Sequence, residues 1–246
     1  MMPNNRLKLP AAPRKYLWPR SLACALYGQE NEIERRPMKI LIIGATRGIG
    51  RCFADQAVEM GEQVTVLVRD VSQFPDPRPN LRVIRGDILD QSSVEEAVRG
   101  QEGVCIVIGI PPTRKPVTVF SEGTRNVLDA MKKYGVGRLE CVTGIGAGDS
   151  RGHGGFLYDC IVQPLLLKTN YADKEKQEDI VRSSGVAWTV VRPGFLTNGP
   201  RTGRYRVTTD MSGVRARKIS RADVADYLLK EMKTGADVGM TVFIDA

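Results

Sequence analysis

The chain has 246 residues, 42% hydrophobic and 26% charged, which is enough for one sizeable α/β core and excludes collagen-like, low-complexity and disulfide-scaffold classes. No run of eighteen apolar residues occurs, so neither a membrane-spanning helix nor a membrane partner is expected. The net charge of +8 is uneven: residues 1–37 hold seven Lys/Arg against three Glu, and the rest of the chain carries only a further +4. An excess that small over the main body fits a solvated basic surface or an anionic small-molecule site, and nucleic acid is not expected as a partner.

Residues 1–37 read as a basic, proline-dotted extension with no acidic residue before Glu30. Three readings stand for it: a disordered arm, a transit-like peptide for organelle import, or residues upstream of a true start at Met38. The third is preferred, and "RKYLWPRSLACALYG" lacks a secretory apolar core. A single domain is expected over residues 38–246. The five cysteines (Cys24, Cys52, Cys105, Cys141, Cys160) are odd in number and form no CxxC pair, which reads as reduced thiols in a cytoplasmic protein. His153 is the only histidine, so neither a His-based metal site nor a Ser-His-Asp triad is expected, and no metal is expected.

From Met38 onward the pattern alternates strand and helix. "KILIIG" predicts a buried strand, followed by a helix over 48–60 with Ile49, Phe53, Ala57 and Met60 on one face and Gly61 ending it. Strands are expected at "QVTVLVR", "LRVIRGD", "GVCIVIG", "RLECVTG", "AWTVVRPG" and "MTVFIDA". Helices are expected at "SSVEEAVRG", "VFSEGTRNVLDAMKKYG" and "YADKEKQEDIVRSSG", with a last one begun by Ser220 and Asp223 and running through Leu229. Repeated βαβ units imply a doubly wound Rossmann fold with a mainly parallel sheet.

"GATRGIG" lies between the first strand and the first helix, the context that gives a glycine pattern meaning. Gly44 allows the tight turn, Gly48 lets a pyrophosphate approach the backbone, and Gly50 lets helix and strand pack closely. Ala45, Thr46, Arg47 and Ile49 complete the turn, and the helix N-terminus offers N–H groups to phosphate. The second strand ends at "VLVRD", where Arg69 precedes Asp70. With Arg47 in the glycine turn, Arg69 is placed for a ribose 2′-phosphate, which favours NADP(H), with NAD(H) bound more weakly; solvated surface arginines are the alternative. Asp87 and Ile88 are expected to flank the adenine, and Gly109 to lie where the cofactor crosses the sheet edge.

These segments, together with "GDILD", "SEGTRNVLDAMKKYGV", "SSGVAWTVVRPG" and "ISRADVADYLL", resemble the atypical short-chain dehydrogenase/reductase superfamily from Met38 to Ala246. Within it, "VTVLVRD", "SEGTRN" and "TGRYRVTTD" followed by "RKISRADVADYLL" are similar to biliverdin IXβ reductase/flavin reductase-like proteins. The resemblance implies an NAD(P)H-dependent oxidoreductase. The same superfamily holds NAD(P)-sensing regulators that do not turn over.

The chain departs from the superfamily's patterns in three places. Glycines at 44, 48 and 50 follow the tyrosine-dependent members, whereas flavin-reductase-like members place the middle glycine where this chain has Arg47. At the end of the fifth strand Thr143 is the candidate for the serine of the tyrosine-dependent members, and Gly144 stands where flavin-reductase-like members carry one. Lys174 and Glu178 keep the Lys-x-x-x-Glu spacing, but counting back four from Lys174 gives Asn170, and Tyr171 is one residue late. That shift turns the phenol by about 100° around the helix. The candidate catalytic residues are therefore Lys174, as ribose ligand, with Tyr171 and Thr143; packing or surface roles are the alternatives.

"RPGFLTNGPRTGRYRV" and "GAGDSRGHGGF" are expected to form the two walls of a substrate cleft, with His153 read as a loop histidine and Arg192 as a structural ion-pair residue. The function these features imply is an NADPH-dependent reductase of a planar conjugated small-molecule acceptor, a flavin or a bilin, acting as a monomer or small homo-oligomer. The alternatives are a non-catalytic NADP(H)-sensing regulator and a tyrosine-dependent dehydrogenase or epimerase.

Overall fold

The computed structural model describes residues 36–75, 78–150, 152–155 and 167–246. Residues 1–35, which hold most of the expected extension, lie outside the described residues, as does Cys160. Five helices, α1 (Gly48–Glu59), α2 (Gln91–Val98), α3 (Val119–Tyr134), α4 (Lys168–Arg182) and α5 (Arg221–Thr234), alternate among the described residues with ten strands. These are β1 (Lys39–Ile43), β2 (Gln63–Val68), β3 (Leu81–Arg85), β4 (Gly103–Ile106), β5 (Arg138–Val142), β6 (Ala187–Pro193), β7 (Phe195–Thr197), β8 (Arg206–Thr208), β9 (Lys218–Ser220) and β10 (Met240–Asp245).

The main sheet has the order β3-β2-β1-β4-β5-β6-β10-β8, parallel throughout except that β8 runs antiparallel to β10. A parallel sheet is covered on both faces, which is why its strands are near-continuous apolar runs. Alternation along β1 sends Ile40 and Ile42 into a core with Phe53 and Ala57 of α1 and Val224 and Leu228 of α5. Leu41 and Ile43 enter the opposite core with Val94 of α2, Val127 and Met131 of α3, and Val181 of α4. This is the doubly wound Rossmann arrangement, and its strand order reverses between β1 and β4, where the carboxyl ends open a crevice.

Local chemistry sets the element ends. Asp90 caps α2 by accepting from the amides of Ser92 and Ser93, and Ser220 caps α5 by accepting from the Asp223 amide. Gly135 closes α3 at φ 70°, and Gly235 closes α5 at φ 60°, so α5 continues beyond Leu229 to Thr234. Met60 corrects the expected face of α1: it sits past the last helical residue and is 53% exposed. The short strands β7, β8 and β9 were not among the expected strands. At three residues each they are too short to show a period.

Candidate functional site

The crevice at the β1/β4 reversal is a cavity of about 830 Å³. Its floor is the glycine turn. A Cβ on Gly44, which has φ +99°, would lie 2.4 Å from the carbonyl oxygen of Val107 beside β4. A Cβ on Gly50 would lie 2.4 Å from the Gly44 carbonyl oxygen, so the glycine is what lets α1 seat against β1. Gly48, at φ +64°, faces open space apart from the Arg221 side chain. Arg47 is the N-cap residue of α1, makes no capping side-chain bond, and is followed by no acidic residue in the first turn. Unlike α2 and α5, α1 leaves its first amides and the positive end of its dipole to the cavity. A turn in which Gly44 and Gly50 leave no room for a Cβ and Gly48 faces open space, ahead of an uncapped helix, fits a dinucleotide pyrophosphate.

Of the expected cofactor residues, Gly44, Thr46, Arg47, Gly48, Ile49, Arg69, Asp87, Ile88, Gly109 and Lys174 line this cavity, as does Thr143. Ala45 and Gly50 do not: Ala45 is fully buried beneath the turn, and Gly50 packs behind it. Asp70 is absent from the lining. Its carboxylate accepts from the Ser72 amide (3.0 Å) and hydroxyl (2.7 Å), capping the 3₁₀ turn that begins at Val71. Those bonds hold its pKa below the usual aspartate range. Asp87 accepts from the Leu89 amide, and Ile88 is held under α3, where it fills the space a Cβ on Gly123 would take.

The opposite side of the cavity hangs from α4, whose register is fixed by polar contacts. Asp173 is buried and accepts from the amides of Phe120 and Ser121 and from the Ser121 hydroxyl, so α4 caps α3. Gln177 donates to Thr124, Thr169 donates to the Thr113 carbonyl, and Asn170 donates to the Pro111 carbonyl at 3.3 Å. With α4 locked this way, the Lys174 ammonium reaches the end of β5 and donates to the Thr143 carbonyl at 2.5 Å. It also lies 5.0 Å from the centre of the Phe120 ring. Burial brings its pKa down to about 8, against the opposing pull of Cys141 and Glu178.

Thr143 donates its hydroxyl to Glu178 (2.7 Å), and that carboxylate is held by Arg192 (2.6 Å) and Arg182 (2.6 Å). Burial alone would raise the pKa of Glu178, but the bonds and charge of Arg192, helped by Thr143 and Arg182, leave it lowered. The Thr143 proton is therefore already engaged, and Arg192 has the ion-pair role expected of it. Tyr171 is half-buried, and its hydroxyl would lie 3.1 Å from a Cβ on Gly144; it reaches the end of β5 but does not line the cavity. Asn170 faces the β4–α3 loop instead.

Pro193, Leu196 and Asn198 bring the "RPGFLTN" segment into the lining as one wall. Among the described residues of 144–155, none lines the cavity, and His153 places Nδ1 2.7 Å from the Val214 carbonyl as a loop histidine would. Arg221 was not among the expected site residues; it lines the cavity and donates a 2.7 Å hydrogen bond to Asn198 of the expected wall. The available signal was position: Arg221 directly follows the Ser220 cap at the N-terminus of α5.

A family model described as NAD(P)H-binding matches residues 44–234. An uncharacterized chloroplastic protein of Arabidopsis thaliana is 29% identical over 183 residues, covering 71% of this chain and 64% of that protein. A 3-diazoavenalumate denitrifying reductase of Streptomyces sp is 30% identical over 185 residues, covering 69% of this chain and 59% of that protein. The chain thus spans less than two thirds of the length of either relative. Among solved structures, an anaerobilin reductase from Escherichia coli O157:H7 shares the fold at a TM-score of 0.69 and 22% identity, covering 83% of this chain and 95% of that one. No helix among the described residues is long and apolar enough to cross a membrane. The family model takes in the glycine turn, both cavity walls and α5, and the chain belongs to the NAD(P)H-binding family.

Proposed function

We propose that the chain is an NADPH-dependent reductase of a planar, conjugated acceptor of the flavin or bilin kind. One observation carries the reading: the cavity joins an uncapped glycine-turn helix and two arginines to a wall with no tyrosine in the register of a proton donor. Gly44, Gly48 and Gly50, with Ala45, Thr46 and Ile49, form the pyrophosphate turn. Arg47 and Arg69 meet the 2′-phosphate, and Asp87, Ile88 and Gly109 follow the adenosine and the crossing to the acceptor side. The turning of Asp70 onto its own 3₁₀ turn favours NADP(H) over NAD(H), because a carboxylate aimed into the cavity would repel a 2′-phosphate. Lys174 holds the nicotinamide ribose, with Thr143 beside it and Tyr171 behind the lining at the end of β5.

Bound NADPH supplies a hydride. The protein orients the acceptor against Pro193, Leu196 and Ile110. A conjugated acceptor spreads the arriving negative charge, so solvent can deliver the balancing proton, whereas an isolated carbonyl needs an acid in place. The Escherichia coli anaerobilin reductase and the Streptomyces reductase support a reductase reading by similarity. Within the same proposal, residues 38–246 form the catalytic domain and residues 1–37 an extension outside it. The protein works in the cytoplasm as a monomer or small homo-oligomer.

The test is NADPH oxidation with FMN, biliverdin, and a panel of simple aldehydes and ketones. Oxidation with the conjugated acceptors and little or none with the others is expected. Tight NADPH binding without oxidation by any acceptor would replace the reading with a cofactor-sensing protein.

A further inference from the structure

The cavity contains an arginine that the glycine turn, the 2′-phosphate pair and the acceptor wall leave without a role. Arg221 is the first residue of α5, and its backbone is unusually well held. Ser220 before it is paired with Thr197 across the β7–β9 sheet and caps the helix through the Asp223 amide. Gln56 of α1 donates to the Ala222 carbonyl after it (2.9 Å), tying this end of α5 to the helix of the glycine turn. From that anchor the side chain runs across the turn. Its Nε and Cδ would lie 3.6 and 3.7 Å from a Cβ on Gly48.

The guanidinium makes one hydrogen bond among the described residues, from Nη1 to Asn198 Oδ1, and no ion pair there. Several arginines outside the cavity are paired, Arg51 with Asp55, Arg138 with Glu140 and Glu231, and Arg206 with Asp245, whereas Arg47 and Arg69, which share the cavity, likewise have no ion pair among the described residues. Arginine offers five N–H donors in a planar fork suited to phosphate oxygens. A half-buried arginine in a cavity wall, with donors to spare and no carboxylate partner, is arranged for an anion that arrives from outside the protein.

We infer that Arg221 is a ligand of the dinucleotide pyrophosphate, held in aim by Asn198. It closes the phosphate site from the carboxyl-terminal half of the chain, opposite the α1 amides. The inference rests on the cavity being the dinucleotide site. It differs from the role of Arg69, because NAD and NADP share the pyrophosphate and only NADP has the 2′-phosphate.

The test is calorimetric titration of the full-length protein with NADP⁺, NAD⁺ and 2′-AMP, which carries the 2′-phosphate and no pyrophosphate. Arg221→Met is expected to weaken NADP⁺ and NAD⁺ by the same factor, roughly 10- to 100-fold, and to leave 2′-AMP unchanged. Arg69→Ala is expected to show the reverse pattern, weakening NADP⁺ and 2′-AMP and sparing NAD⁺. Asn198→Ala should follow Arg221→Met in kind with a smaller loss. Changes under about twofold for both dinucleotides in Arg221→Met would overturn the inference while leaving the site intact, as would a loss confined to NADP⁺. Wild type that binds neither dinucleotide would overturn both the inference and the site. Should Arg221→Met melt below wild type, Arg221→Lys carries the test: it keeps the charge without the fork and is expected to lose a few-fold for both dinucleotides.

Discussion

The two sides of the cavity are built differently. At the ends of β1 to β4 the phosphate-facing surface is backbone, glycines at 44 and 48 with positive φ and the uncapped amides of α1, ringed by the Arg47, Arg69, Asp87 and Ile88 side chains. At the ends of β5 and β6 it is made by side chains: Lys174 from α4, Thr143, Pro193 and Leu196. A backbone site tolerates varied side chains but not an added Cβ. A side-chain site depends on the rotation of one helix, and in α4 that rotation is set by Asp173, Gln177 and Asn170 contacting α3 and the loop before it. The backbone side is suited to holding a constant dinucleotide, and the side-chain side can diverge with the acceptor.

The largest effect should come from breaking the backbone side. A Cβ at position 50 would lie 2.4 Å from the Gly44 oxygen and 2.9 Å from its carbonyl carbon, both main-chain atoms that cannot swing aside. Gly50→Ala should lower affinity for either dinucleotide by more than about 100-fold, with overpacking costing roughly 1–3 kcal/mol of stability. Titration paired with thermal melting checks this. Unchanged binding would mean that the turn does not hold the phosphates.

A smaller, selective loss is expected at the edge of the same side. Arg69→Ala should bring NADP(H) affinity down by roughly 10- to 100-fold, toward that for NAD(H), as one charge-assisted contact is worth about 1.5–3 kcal/mol. Equal affinities for the two cofactors in wild type would contradict the 2′-phosphate assignment.

On the side-chain side, Lys174 should show opposite effects on stability and binding. Its folded pKa of about 8 lies below its ordinary 10.5, so the native state binds fewer protons than the unfolded state between those values. Native stability therefore rises with pH across that window, and below pH 8 the buried charge is a cost. Lys174→Met should raise the melting temperature of the cofactor-free protein near pH 7 by a few degrees, from about 1–3 kcal/mol. That gain should shrink between pH 8 and 10.5, while cofactor affinity falls at neutral pH. Melting curves across pH check the sign. A lower melting temperature at pH 7 would show that the ammonium stabilises the end of β5.

How much could be read from the sequence follows the same division. The turn at Gly44 to Gly50 needs only glycine spacing and a strand–helix context, and the alternation of β1 and the stop at Gly135 were legible for the same local reasons, whereas the stop of α5 at Gly235 was placed too early, at Leu229. Arg221 could not be found that way. Its place over Gly48 comes from α5 packing on α1, a contact between segments far apart in the chain. The direction of Tyr171 was likewise not local: counting residues gives a rotation, but the phenol's approach to Gly144 depends on how α3 receives α4. The strands β7 to β9 were missed because three residues are too few to show a period, and β8 forms only by pairing with the terminal strand β10.

The account's central claim is that positioning, and not an in-register acid, carries the transfer on the side-chain side. The direct test is the rate of NADPH oxidation by FMN or biliverdin in Tyr171→Phe beside wild type, with NADPH affinity measured on both proteins. The account predicts rates within a few-fold of each other at equal cofactor affinity. A fall of about 10²- to 10⁴-fold with NADPH binding intact, the size of a lost general acid, would contradict it and make Tyr171 the proton donor of a tyrosine-dependent dehydrogenase.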